Sequence, residues 1–129
     1  MKIRSILHID DDAEDQEIFS SALEKVSDAL KYVSFTNARD ALARLINNEF
    51  NPDVIFLDLN MPTMSGPEFL QEIKSVDHLR SIPVIILSTT SNPATIASTK
   101  LMGAVDFITK PNRFDELVEI LRPIIQKDP

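Results

Sequence analysis

Two stretches of the chain, Val54-Ile55-Phe56-Leu57 and Val84-Ile85-Ile86-Leu87, are apolar at every position. A strand with one face in water alternates polar and apolar residues. A strand covered on both faces does not, and such strands belong to the middle of a parallel sheet flanked by helices. The rest of the pattern agrees. Strands are predicted at 3–9, 31–36, 53–57, 83–87 and 105–109, and helices at 14–26, 38–46, 66–75 and 92–102, with a last helix after Asn112. Strictly alternating strands and helices imply an α/β doubly wound parallel sheet with helices on both faces.

Local signals support the elements. Ile18, Phe19, Ala22, Leu23 and Val26 form one helical stripe. Asn37 with Asp40 three residues on, and Asn112 with Asp115, read as N-caps. Pro67 and Pro93 fit first turns, and Gly103 is a helix stop. The 92–102 helix contains Thr95, Ile96, Ser98 and Thr99, which are poor helix formers, and a thin stripe of Ala94, Ala97 and Leu101. It is predicted to be the least stable helix. The last helix carries Phe114, Leu117, Val118, Leu121 and Ile125 on its core face, and Pro123 predicts an end or a kink near Arg122. Ile120 and Ile124 lie off that stripe, either as a wide core face or as a face for a partner or second copy.

Composition excludes several functions. The 129 residues are one domain's worth of chain, read as a single domain over 1–129 with no output domain attached. There is no Cys, hence no disulfide framework, thiolate metal site or catalytic thiol. An excess of 20 acids over 13 bases argues against nucleic acid, whose phosphates need a basic footprint. No apolar run exceeds four residues, and the first residues carry no signal peptide, so no membrane is expected and the cytoplasm is. Two glycines against eight prolines leave no glycine-rich phosphate loop.

In a doubly wound sheet, ligands bind beyond the carboxyl ends of the strands. Asp10, Asp11 and Asp12 follow the first strand. Asp58, Asn60 and Met61-Pro62 follow the third, Ser88, Thr89 and Thr90 end the fourth, and Lys110-Pro111 ends the fifth. Like charges about 4 Å apart repel by roughly 4 kcal/mol at an effective dielectric near 20. A hard divalent cation with oxygen ligands, Mg²⁺ foremost and Mn²⁺ next, offsets this. A carboxylate beside such a cation and an ammonium is equipped to attack phosphorus. Taken singly, Asp10 and Asp11 read equally as helix N-cap acids. Asp12, Glu14 and Asp15 read as a solvated first turn, His8 as a satisfied core histidine, and His78 as a solvated loop residue.

Together the pieces resemble the response-regulator receiver domain of two-component signalling, chemotaxis-regulator-like and single-domain. The carrying motifs are Ile6-Leu7-His8-Ile9-Asp10-Asp11-Asp12, Val54 through Pro62, Gly66, Val84 through Thr89, and Phe107-Ile108-Thr109-Lys110-Pro111. The resemblance implies a flavodoxin-like sheet in strand order 2-1-3-4-5. It implies that Asp58 accepts a phosphoryl group from a histidine kinase or phosphotransfer protein. Asp10, Asp11, Asp58 and the backbone carbonyl of Asn60 would hold the metal. Ser88 and Lys110 would contact the phosphoryl group, with Ser88 and Phe107 as the switch pair and Lys110-Pro111 as a cis peptide. Output would pass through the fourth helix, fifth strand and fifth helix to a downstream protein or a second copy of the chain. Ser88 and Phe107 replace the commoner Thr and Tyr of the family, and neither Asn60 nor Thr90 is a carboxylate that would speed hydrolysis. Two other readings remain. One is a degenerate receiver that binds partners without phosphorylation; the other is an Asp-nucleophile phosphatase, suggested by Asp10-x-Asp12. A flavin carrier is disfavoured, since the chain has no Trp, one Tyr and no phosphate loop.

Overall fold

A computed structural model of the protein describes residues 3–59, 61 and 64–126. Five strands and five helices alternate: β1 Ser5–Ile9, α1 Ala13–Val26, β2 Lys31–Phe35, α2 Ala38–Ile46, β3 Val54–Leu57, α3 Gly66–Ser75, β4 Val84–Ser88, α4 Pro93–Leu101, β5 Asp106–Thr109 and α5 Phe114–Ile125. All pairings are parallel, in the order β2-β1-β3-β4-β5. The order in which strands are added across the sheet therefore reverses between β1 and β3, and the crevice expected there lies at the carboxyl ends of these two strands.

The two apolar runs sit where full burial requires them. All of β3 and β4 is buried. Their side chains point alternately to the two faces. Val54, Phe56, Ile85 and Leu87 join Phe19, Leu23, Leu117, Val118 and Leu121 under α1 and α5. Ile55, Leu57, Val84 and Ile86 join Ala41, Leu45, Phe69, Leu70 and Ile73 under α2 and α3.

The helix starts follow from capping chemistry. Asn37 accepts the Asp40 amide, Asn92 accepts the Ala94 amide, and Ser65 with Glu68 closes a capping box. Gly103 takes φ 113, a left-handed conformation that ends α4 at little cost for a residue without Cβ.

The structure departs from the sequence pattern in several places. The N-cap of α5 is Arg113, not Asn112, and it offers no side-chain cap because a guanidinium has only donors; it pairs instead with the Asp115 carboxylate at 3.1 and 3.2 Å. Phe114 thus becomes the first helical residue, beyond the core layer, and is 41% exposed, as is Ile18 on the rim opposite. Pro123 does not end α5. Proline removes one bond to the carbonyl four residues back. Buried Leu121 and Ile125 bracket it, and the Gln126 amide closes on the Arg122 carbonyl at 2.9 Å. Ile120 and Ile124 are half-buried against the α1–α5 cluster, which makes them a wide core face. In α4 the inward face is Thr95, Ile96 and Thr99, continued by the C-cap Met102, not Ala94, Ala97 and Leu101. Thr99 is buried because its hydroxyl donates to the Ile96 carbonyl of its own helix at 2.9 Å, leaving the methyl to pack. No peptide bond between described residues is cis, so Lys110-Pro111 is trans, the form that X-Pro amides favour by about 0.5–1 kcal/mol.

Candidate functional site

The site forms at the carboxyl ends of β1, β3, β4 and β5. Each strand end delivers one polar group. Asp10 follows β1 and is held by three backbone ties. Its amide donates to the Phe35 carbonyl at 3.1 Å, its Oδ1 accepts the Asp12 amide at 3.0 Å, and its carbonyl accepts the Gln16 side-chain amide at 2.8 Å. Asp58 follows β3, and its amide donates to the Ile9 carbonyl at 3.0 Å, locking the two carboxylate-bearing turns together. Asp10, Asp11 and Asp58 each offer one carboxylate oxygen, and these oxygens all lie within 4.8 Å of one another. Asp10 and Asp58 are buried and Asp11 is exposed, so the cluster opens to solvent on one side. Three oxygen donors of this kind suit a hard divalent cation, and a single lysine does not neutralise them.

Lys110 follows β5. Its amide donates to the Ser88 carbonyl at 2.7 Å, which makes its position a consequence of β4–β5 pairing. Its ammonium lies 3.1 Å from Asp10 Oδ2, 3.0 Å from Asp15 Oδ2 and 4.0 Å from Asp58 Oδ1. Burial alone would lower its pKa, but hydrogen bonding to Asp15 and the charges of Asp10 and Asp58 outweigh burial and hold it above the ordinary lysine value. Asp10 is pushed up by burial, which the Asp12 amide and Lys110 offset only in part.

Ser88 is fully buried at the end of β4, and its hydroxyl accepts the Thr90 amide at 3.2 Å. The Thr109 hydroxyl donates to the Thr90 carbonyl at 3.1 Å, tying the β4–α4 turn to β5. Phe107 is half-buried against the cluster under α2 and α3. The Asn60 carbonyl expected among the metal ligands lies outside the described residues.

Gly66 explains how the Asp58 turn stays tight. Its amide donates to the Leu59 carbonyl at 2.9 Å. A Cβ there would stand 2.7 Å from both the Asp58 carbonyl oxygen and the Leu59 Cα. Only glycine allows α3 to start this close to the backbone of the site.

With this geometry established, comparison decides the family. The family model described as the response regulator receiver domain matches residues 6–122. The chain belongs to the receiver domain family. As a receiver it resembles phosphorylated RcpA, a cyanobacterial phytochrome response regulator, at 31% identity and a TM-score of 0.85, covering 95% of this chain and 91% of that one. It resembles the Mn²⁺-bound response regulator Rcp1 at 26% identity and a TM-score of 0.83, over 94% and 91%. It resembles the Vibrio cholerae chemotaxis regulator CheY4 at 25% identity and a TM-score of 0.80, over 95% and 99%. A protein-glutamate methylesterase/protein-glutamine glutaminase of Escherichia coli K12 is 35% identical over 112 residues, 85% of this chain. The chain spans 30% of that relative's length, so only one part of it is matched. Receiver domains are signalling phosphoacceptors of two-component systems. They are phosphorylated by histidine kinases, bind divalent metal at an acidic pocket and act on downstream partners. No helix among the described residues is long and apolar enough to cross a membrane.

Of the residues expected at the site, Asp10, Asp11, Asp58 and Lys110 come together; Ser88 ends β4, where its carbonyl meets the Lys110 amide, and Phe107 lies on β5. Asp12 instead caps α1, its Oδ1 accepting the Glu14 and Asp15 amides at 2.9 and 3.4 Å. That commitment removes the second acid of the phosphatase-like pair. Asp15 is not merely solvated, because it pairs with Lys110. His78 reaches the Leu45 carbonyl at 3.3 Å, which ties it to the end of α2. The sequence reading missed Gln16, whose amide bridges the Asp10 and Phe35 carbonyls at 2.8 and 2.9 Å. A signal existed: Gln16 continues the buried Phe19, Leu23 and Val26 stripe, where a polar residue needs a reason.

Proposed function

We propose that this receiver accepts a phosphoryl group on Asp58 in an Mg²⁺-dependent reaction, from a histidine kinase or a histidine phosphotransfer protein. The supporting observation is the convergence of the Asp10, Asp11 and Asp58 oxygens within 4.8 Å, with the Lys110 ammonium 4.0 Å from Asp58. An Asp58 oxygen bonds to phosphorus as the bond from phosphorus to the donor imidazole nitrogen breaks, and the imidazole keeps the electron pair. Asp10, Asp11 and Asp58 hold the cation, which supplies positive charge toward the phosphoryl oxygens when bound. The chain's own groups do the rest. Lys110 answers one phosphoryl oxygen with its ammonium, and Ser88 turns its hydroxyl from the Thr90 amide to another. The protein thereby catalyses at most its own phosphorylation and dephosphorylation.

The change leaves through α4, β5 and α5. Ser88, Thr90 and Thr109 connect the site to the base of α4, which buries only Thr99. Leu101 is 89% exposed and Val105 59%, which gives that face apolar residues for a downstream protein or a second copy to cover.

Incubation with acetyl phosphate and Mg²⁺, followed by intact mass, tests the reading. A labile adduct of about 80 Da, one phosphoryl group, is expected in the wild type and absent in Asp58→Asn. An adduct that persists in Asp58→Asn, or none with any donor, overturns it. The second outcome would favour a receiver that binds partners without phosphorylation.

A further inference from the structure

His8 lies on β1, two residues before Asp10, and is 1% exposed. Its ring packs on Phe19, with centroids 4.1 Å apart, and its Nδ1 is 2.8 Å from the Tyr32 hydroxyl. Its other nitrogen, Nε2, is the one buried side-chain polar atom among the described residues with no hydrogen-bond partner. That nitrogen points at Asp10 Oδ2 from 3.8 Å. The same oxygen accepts the Lys110 ammonium at 3.1 Å. A buried polar nitrogen left unmatched costs about 1–3 kcal/mol, so an unused one facing a metal-site carboxylate calls for an explanation.

The tautomer follows from the neighbours. If Nδ1 carried the proton, the Nε2 lone pair would face a carboxylate across a dry gap, which is repulsive. If the Tyr32 hydroxyl donates to Nδ1, Nε2 carries the proton and faces the carboxylate attractively. The Tyr32 hydroxyl has one proton to give, and the Gln16 carbonyl competes for it only from 3.4 Å against 2.8 Å for Nδ1, so the shorter contact takes it; the Gln16 side-chain amide in turn holds the Asp10 carbonyl. Buried His8 and half-buried Tyr32 and Gln16 thus stand behind Asp10.

We propose that His8 is a positioning residue for the metal site, with its Nε2–H donating to Asp10 Oδ2 once Lys110 turns from Asp10 toward the phosphoryl group or the cation displaces it. Carboxylates that ligate metals are themselves oriented by donors behind them, and loss of such a donor typically weakens metal binding about 10- to 100-fold. The role rests on the proposed metal site, and it assigns His8 no contact with the ion. Tyr32 sets the proton on the useful nitrogen, and Gln16 fixes the backbone of the same aspartate from the other side.

Two measurements test this. Long-range ¹H–¹⁵N correlation spectra of the wild type, at neutral pH with and without Mg²⁺, read the His8 tautomer directly. The Nε2–H form is expected in both states, with its proton moving downfield when Mg²⁺ is added. An Nδ1–H form, or a resonance indifferent to Mg²⁺, overturns the proposal whether or not any variant folds. Free Mn²⁺ is then followed by electron paramagnetic resonance during titration of wild type, His8→Gln and His8→Leu. His8→Leu should bind Mn²⁺ about ten-fold or more weakly, while His8→Gln, which keeps an N–H at nearly the same reach, stays within about three-fold of wild type. Equal affinity in folded His8→Leu overturns the positioning role while leaving the metal site intact. No Mn²⁺ binding by the wild type overturns the site itself.

Discussion

Lys110 Nζ stands 3.0 Å from the Asp15 carboxylate, an ångström closer than it stands to Asp58 at 4.0 Å. The ammonium that would answer the phosphoryl group is thus held aside by a carboxylate from the first turn of α1. In the proposed reaction Lys110 would have to leave Asp15, whose negative charge would also repel an incoming phosphate. Asp15→Asn should therefore react faster with acetyl phosphate. The pair is partly exposed, and such pairs contribute up to about 1 kcal/mol, so a two- to five-fold acceleration is expected. The initial rate of adduct formation by intact mass measures it. A slower variant would mean that Asp15 orients Lys110 rather than restraining it.

Gly66→Ala should damage the site through the backbone. Its Cβ would meet the Asp58 carbonyl oxygen and the Leu59 Cα at 2.7 Å, and neither is the end of a flexible side chain that can swing away. The β3–α3 turn must shift, and overpacking of this kind costs about 1–3 kcal/mol. The expected result is a melting temperature several degrees lower, together with slower phosphorylation, because Asp58 moves with the turn. A variant as stable as wild type would show that the turn has slack.

Asp10→Asn separates the cost of the apo site from its use. Burial holds the Asp10 pKa above its ordinary 3.8. A carboxylate whose folded pKa is raised binds protons more tightly in the folded state, so stability is lost as pH rises through that range. Above the raised value the ionised group is a full cost, and below its ordinary value the cost is absent. In metal-free buffer Asp10→Asn should melt higher than wild type at pH 7, and the gap should close as pH falls through the carboxylate range. Wild type should gain about 2.7 kcal/mol in Mg²⁺ at a hundred times its dissociation constant, and Asp10→Asn almost nothing. Thermal melts at several pH values, with Mg²⁺ or a chelator, give both comparisons. A lower melting temperature for the variant in chelator would show that the Lys110 pairing outweighs burial.

The sheet was legible in the sequence because full burial leaves a mark on every residue of β3 and β4. The site was legible because the residues at strand ends are read in order, whatever the loops do. What escaped was side-chain reach. Nothing in the local pattern says that Asp15 turns back to meet Lys110, 95 positions away, or that Tyr32 on β2 orients the His8 ring. The inward face of α4 was misjudged for a related reason. Polarity scales count Thr99 as polar, whereas its hydroxyl is satisfied within the helix and only its methyl meets the core. The start of α5 shifted by one residue because Arg113 found a carboxylate in Asp115, a preference that a capping pattern does not register.

That misjudged face bears on how the receiver would signal. The inward side of α4 is Thr95, Ile96 and Thr99, with the C-cap Met102 beyond, and Thr99 alone is fully buried, whereas α1 buries Phe19, Ala22, Leu23 and Val26. Local stability follows buried apolar contact, so α4 should open at lower free energy than α1. Its base is tied to the site by the Thr90 amide on the Ser88 hydroxyl and by the Thr109 hydroxyl on the Thr90 carbonyl. Redirecting Ser88 toward a phosphoryl oxygen breaks the first tie and changes the footing of the helix. Hydrogen exchange read by mass spectrometry, in Mg²⁺ with and without beryllofluoride as phosphoryl mimic, checks both points. Amides of α4 should exchange faster than those of α1 in the unmodified protein, and the mimic should change protection in α4 more than in α1. Slower exchange in α4 than in α1, or equal protection of α4 in both states, would place the moving element elsewhere.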